Sequence, residues 1–493
     1  MTQPADGNSP PGECPPWWQP ALLAGLAGGM AWGIRGQYGH ETGAMIAGLL
    51  VSLVLVLLFR PDAAALPAMR AVAFGTIAMG FGGTMTYGQT IGLTQNASLI
   101  GHWDALGWGM LGLAIKGAIW IGFAGLFLGM ALGGVPYRAR HILALMLGLL
   151  ALYALGVWVL NRPFEPAERL LPRIYFSADW RWYPDATPEE LKPRREHWGG
   201  LLFALLGAWV WAGWIRRDQL ARRLTLWGAL GGLGFPIGQS LQAFHAWNPE
   251  FFESGFWAQL DPHMNWWNWM ETTFGLVMGA CLGLGLWVNR RHIGPLRQTD
   301  PPEIKPALEA FLALIHLPLL LLVEFAAVPA VDAVYDVGLC LGLIPLVGVA
   351  GGRWWPLAVV FPLTALPILG KTIRALVFEA QAIAPVWGWL VYGALPLALM
   401  IALAVRADRK VTQGWPAAVL LRPALLWCTW FYFAINFAFF RFPWPWSAWT
   451  PRTPNALAFF LCAVGLTLAC VCQSRRALSL QSQNPATPPP RDR

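Results

Sequence analysis

Three connections in this sequence collect the polar side chains able to bind a ligand or move a proton. The first reads Trp32-Gly-Ile-Arg35-Gly-Gln37-Tyr38-Gly-His40-Glu41-Thr42. Arg35 offers a planar fork of N–H donors suited to a carboxylate or phosphate. His40 beside Glu41 makes a proton-transfer pair, because an imidazole titrates near neutral pH. The competing reading is structural: Arg35 pairs with Glu41 and seals an exposed turn, where such a pair is worth at most about 1 kcal/mol.

The second connection runs Gln89-Thr90-Ile-Gly-Leu-Thr94-Gln95-Asn96 and then His102-Trp103-Asp104. The third carries Gln239, Gln242 and His245, three residues apart and so roughly on one helix face, and its return helix opens with Asn268 and Glu271 at the same spacing. Amides for hydroxyl groups and indole faces for C–H surface suit a neutral, polyhydroxylated ligand. The competing reading is helix capping with interfacial tryptophan, since Asp104 and Glu271 also sit where an acid satisfies a helix N-terminus. Histidines and acids are plentiful in these segments, but no HxxxH or HxH spacing supports a metal centre, and no cofactor is expected.

Each connection follows a Gly-rich apolar run ending in Gly-Gln: Gly36-Gln37, Gly88-Gln89 and Gly238-Gln239. An acid then opens the next run: Glu41, Asp104, Glu271. The pattern reads as one helix–turn–helix unit reused in the N-terminal half as parallel internal repeats. Glycines at four-residue spacing, such as Gly25 with Gly29 and Gly275 with Gly279 with Gly283, let helix backbones approach closely in lipid. Three ionisable residues lie deeper in apolar runs, Lys116, His316 and Glu324, and are candidates for ion coupling or for a structural ion pair.

These side chains must be positioned by membrane helices. Hydrophobic residues make up 56% of the 493 and charged residues only 12%, about half the charge of a soluble globular chain. The fold class is an all-α, polytopic membrane helix bundle. Apolar runs near 18–34, 42–59, 70–87, 104–134, 141–160, 198–215, 224–244, 267–288, 307–327, 336–350, 354–370, 386–405, 423–440 and 455–473 predict about 14 spans. The organisation is a tail over 1–16, a repeat-containing transmembrane domain over 17–304, a second bundle over 305–474 and a disordered tail over 475–493. The start of the chain lacks the basic and apolar regions of a cleavable signal. The 30 tryptophans favour membrane interfaces, among them those of the stretch Phe442 to Trp449. The seven cysteines show no CxxC spacing and read as small packing residues.

Lys and Arg set the orientation. Connections 88–103 and 245–266 hold none, and segment 161–196 balances seven basic against seven acidic residues. Arg60, Arg70, Arg138, Arg140, Arg216, Arg217, Arg222, Arg223, Arg290 and Arg291 fall on the other side. With both termini cytoplasmic in an inner membrane this obeys the positive-inside rule, and the exceptions are Lys371, Arg374, Arg441 and Arg452. The rule also accounts for the net charge of +8, so no nucleic-acid partner is implied. The alternating aromatic and charged residues near Asp179 to Tyr183 read as a strand or lid. Two functions remain open. One is a transporter for a small polar or saccharide-like ligand bound near the outer face. The other is a membrane-embedded transferase acting on an extracytoplasmic lipid-linked or saccharide substrate.

Overall fold

A computed structural model describes residues 15–36, 38, 41–296, 302–326, 328–335, 337–439 and 449–483. Among these there is no strand, only two isolated bridges, Ala64 with Pro416 and Glu165 with Leu170. The helices that position the polar residues are α1 (Trp18–Arg35), α2 (Glu41–Phe59), α3 (Ala65–Gly80), α4 (Gly88–Gln95), α5 (Trp103–Leu132) and α6 (Ala139–Leu160). After the short α7 (Pro188–Leu191) come α8 (Trp198–Val210), α9 (Gln219–Gly232) and α10 (Gly234–Trp247). The turns α11 (Pro249–Phe252) and α12 (Gly255–Leu260) lead to α13 (Trp266–Val288), followed by α14 (Pro306–Phe325), α15 (Pro329–Tyr335) and α16 (Gly338–Gly351).

Ten of the described helices are long and apolar enough to cross a membrane, or eleven if α15 and α16, bent by 72°, form one broken span. The chain is thus a multi-pass helical membrane protein. The expected runs 18–34, 42–59, 224–244 and 336–350 are not among the ten. The α1 helix carries Gln19, Arg35 and four glycines, and the run 224–244 is broken at Leu233 into α9 and α10, whereas the described side chains of α2 cover the apolar stretch Gly43–Phe59.

Backbone contact through glycine fixes the central packing. A Cβ built on Gly28 would overlap the Gly275 carbonyl, one on Gly275 the Gly28 carbonyl, one on Gly279 the Ala24 carbonyl and one on Gly283 the Pro20 carbonyl. The α1 and α13 helices therefore run antiparallel with their backbones touching, which only the missing side chains permit. The same device joins α5 to α9: Gly117 meets Gly232, Gly125 meets Leu224 and Gly129 meets Ala221. Gly234 and Gly238 of α10 meet Phe274 and Met270 of α13.

The register shows α3 and α4 as one interrupted pass along α5. Trp120 Nε1 donates to the Met79 carbonyl at 2.7 Å, Lys116 Nζ to the Thr86 carbonyl at 2.5 Å, and Gly109 faces Thr94 and the Thr90 carbonyl. Between the two helices, Phe81–Thr84 tightens to a 3₁₀ turn and Met85 is extended. This corrects the reading of 88–103 as a surface connection: Thr90 to Thr94 are buried against α5 and α10. Helices α1, α3–α4 and α9–α10 all run antiparallel to α5 or α13, so their C-terminal ends share one side.

Segment 161–196 forms no strand. It is an irregular cap with one 3₁₀ turn and α7, and it buries Tyr175, Phe176, Ser177 and Glu196 against the helices.

Candidate functional site

Arg35 ends α1, and the turn that follows does not expose it. Only 2% of the residue is accessible, against the expectation of a solvated turn. Its Nη1 donates to the Tyr87 hydroxyl, from the break before α4, and lies 3.3 Å from Glu271 Oε1 on α13. The guanidinium sits 5.6, 5.4 and 5.5 Å from the ring centroids of Trp32, Tyr87 and Trp120. Aromatic faces attract a desolvated cation, so three rings and a carboxylate share the cost of burying it.

Glu271, 1% accessible, is held from its own helix. Trp267 Nε1 donates to Oε1 at 3.1 Å and Asn268 Nδ2 approaches Oε2 at 3.3 Å. Asn268 Nδ2 also donates to the Gly33 carbonyl at 2.9 Å, which ties α13 back to α1. Gly36 is required here, because a Cβ at that position would fall on the Glu271 carboxylate. Arg452 Nη1 reaches Asn268 Oδ1 at 3.4 Å, and its guanidinium interacts with Glu271. Lys371 Nζ donates to the Tyr38 carbonyl, just past Gly36. Two basic exceptions to the outer-surface rule thus come to the α1–α2 turn.

A second polar layer lies beside the first. Gln239 is fully buried and donates from Nε2 to Thr94 Oγ1 at 2.7 Å. Trp247 Nε1 donates to the Thr94 carbonyl at 2.8 Å. Gln242, 8% accessible, follows one turn along α10, and Oε1 of each glutamine is buried with no hydrogen-bond partner among the described residues. Tyr87 connects the layers, its ring 5.2 Å from Phe235 and 6.4 Å from Trp267. Gln89 is five residues from Thr94, or about 8 Å along the α4 axis. Its Nε2 donates to the Lys192 carbonyl of the cap at 3.0 Å.

Other anticipated residues lie apart. Asn96 donates to the Tyr183 hydroxyl at 3.0 Å and is exposed, as are His102 and Asp104, while Gln95 is half-buried. His245 stacks on Trp266, with Nε2 3.0 Å from Asp261 Oδ1, in a partly exposed cluster. Gln37 and His40 lie outside the described residues, as do the side chains of Glu41 and Glu324 and the stretch 440–448.

Of the deeper candidates, Lys116 is 1% accessible and fully engaged. Its Nζ meets Glu196 Oε1 at 2.7 Å, Thr90 Oγ1 at 2.8 Å and the Thr86 carbonyl. Glu196 also accepts from Phe176 N at 3.0 Å and Ser177 Oγ at 2.9 Å. His316 is buried edge-on to Trp355, 5.7 Å between ring centroids, far along the chain from this network. Among the described residues no group of His, Cys, Asp or Glu is placed to hold a metal ion.

Tyr87, Glu196, Trp267, Lys371 and Arg452 were not singled out from the sequence as site residues. Lys371 and Arg452 had a signal, since they broke the charge rule. Tyr87 stood next to a Gly-Gln pair. Glu196 was one acid among seven in its segment and carried none.

The fold and this site define a multi-pass helical membrane protein with buried ion pairs and amide groups between its helices. Comparison with protein-family models, with curated proteins and with solved structures gives no match.

Proposed function

We propose that the chain is a permease-type transporter of a small polar solute, saccharide-like or bearing an anionic group, and that the solute binds at the layer around Arg35. The observation that carries this reading is Arg35 itself: a buried cation pairing across helices at the place where the α3–α4 pass is interrupted. Charge inside a helix bundle is costly and is retained chiefly along ion or solute pathways. Interrupted helices free backbone groups for a solute at such depths. The antiparallel contacts of α3–α4 with α5 and of α9–α10 with α13 support the reading of parallel repeats within about fourteen passes. Lys/Arg asymmetry supports cytoplasmic termini in an inner membrane, with the Arg35 layer toward the outer face.

The test is uptake into proteoliposomes of labelled hexoses, hexose phosphates and small carboxylates. Arg35→Gln and Glu271→Gln are each expected to abolish uptake of the solute that wild type carries. A double variant, Arg35→Gln/Glu271→Gln, removes both charges of the pair together and should fold yet remain inactive. Full uptake by the double variant would refute the assignment. Chemical conversion of a saccharide or lipid-linked substrate without net transfer would establish the transferase reading instead.

A further inference from the structure

A cavity of about 590 Å³ lies between α6 and α8, away from the Arg35 layer. Its walls are apolar throughout: Ala144, Gly148 and Leu152 on one side, Phe203, Val210 and Trp211 on the other. Both helices are long and apolar enough to cross a membrane, so the medium against the groove is lipid tail. The floor is bare where it matters. A Cβ on Gly148 would meet nothing within 4 Å, and Gly148 is exposed.

One end of this groove is strongly basic. Arg140, Ala144, Gly148 and Leu152 follow at four-residue spacing and so form a single stripe along α6. Arg216 comes directly after the last wall residue, Ile215. Its guanidinium lies 5.8 Å from the Trp211 ring centroid and 5.5 Å from that of Tyr137, and Nη2 donates to the Pro136 carbonyl at 2.7 Å. Arg138, Arg140 and Arg216 all surround His141. Arg217 is exposed beside them. The nearby acids are committed elsewhere. Glu303 pairs with Arg138 and accepts from Ala139 N, while buried Asp218 accepts from Tyr137 and caps α9.

We infer that the α6–α8 groove is a binding site for one anionic phospholipid, with an acyl chain along the Ala144–Gly148–Leu152 stripe and its phosphate at Arg140 and Arg216. An apolar slot alone would accept any lipid. The cluster of guanidinium groups at one mouth selects the charge, since Arg presents donors that match phosphate oxygens. Basic pockets between membrane helices on the cytoplasmic side recognise anionic headgroups by this chemistry.

The test is native mass spectrometry of the full-length protein in detergent, titrated separately with phosphatidylglycerol and phosphatidylcholine. Wild type should retain one phosphatidylglycerol at least tenfold more tightly than phosphatidylcholine. Arg140→Gln/Arg216→Gln removes both guanidinium groups assigned to the phosphate and should reduce that preference to about twofold or less. Gly148→Phe fills the floor and should displace the bound phosphatidylglycerol, with an unchanged thermal unfolding midpoint showing that the fold persists. Equal retention of the two lipids by wild type would overturn the inference. So would undiminished phosphatidylglycerol binding in Gly148→Phe, or a wild-type dimer that Gly148→Phe converts to monomer, which would make a second copy of the chain the occupant.

Discussion

Replacing Glu196 by glutamine removes one charge and almost no volume from a buried pair. Lys116 and Glu196 are 1% and 0% accessible and 2.7 Å apart. Taking away one partner of such a pair strands the other charge, at a cost of about 3–5 kcal/mol. The local geometry narrows that range. Glutamine Oε1 can still accept from Phe176 N or Ser177 Oγ, and Lys116 keeps the Thr86 carbonyl and Thr90 Oγ1. The expected loss is therefore near the lower limit, about 3 kcal/mol, a factor of roughly 150 in the docking equilibrium of the cap. Limited proteolysis in detergent reads this directly, because Arg169, Arg173 and Arg181 place trypsin sites in the cap. Glu196→Gln should speed cleavage between 161 and 196, with little change elsewhere. Lys116→Met/Glu196→Gln, which leaves no lone charge, should recover a good part of the protection. Cleavage of Glu196→Gln at the wild-type rate, or a double variant cleaved faster than the single, would show that the pair does not hold the cap.

Two further outcomes test the packing and the charges outside the spans. Gly28→Ala places a methyl group on the Gly275 carbonyl and should destabilise the protein by about 1–3 kcal/mol; Gly107→Ala, with nothing within 4 Å, should be neutral or slightly stabilising, and equal thermal unfolding midpoints for the two would count against backbone contact between α1 and α13. Burial pushes the Asp218 carboxyl up from 3.8 to about 6. Its neutral form is thus favoured by folding, and the stabilisation is full below the unfolded value and fades as pH rises through 6. Lowering pH from 7.5 to 4 should add about 2 kcal/mol from this group. Asp218→Asn keeps a competent helix cap and should remove that part of the pH dependence; an unaltered slope would contradict it.

The sequence carried the class of the protein and the common direction of the Gly-Gln helices, because both follow from local composition and from charge placed at loop ends. Arg35, Glu271, Gln239 and Gln242 were legible as polar side chains at helix ends near one level. Their partners were not. Arg35 meets an acid 236 residues away and Lys116 one 80 residues away, and nothing local marks Glu271 or Glu196 as the acid that closes each pair. Burial of α4 was also hidden, because Gln89-Thr-Ile-Gly-Leu-Thr has a surface composition. It becomes internal only because Lys116 and Gln239 supply partners for its polar groups. The alternation in 179–183 looked like a strand but had no neighbouring strand to pair with. Asp179 instead turns back on Arg181, accepting from its backbone N at 2.7 Å and its Nη2 at 3.0 Å.

The sequence distance inside these two ion pairs sets an order of events during synthesis. At roughly 5–20 residues per second, the ribosome reaches Glu196 about 4–16 s after Lys116. The corresponding wait between Arg35 and Glu271 is about 12–47 s. During those intervals α1 and α5 each carry a cation whose carboxylate does not yet exist, so neither can settle in the bilayer as it does in the finished bundle. The nascent chain must hold both helices in a provisional, wetter environment, and the N-terminal half locks only when α13 arrives. A truncation ending before α13 should therefore be a substrate for membrane quality control even though every one of its helices is complete.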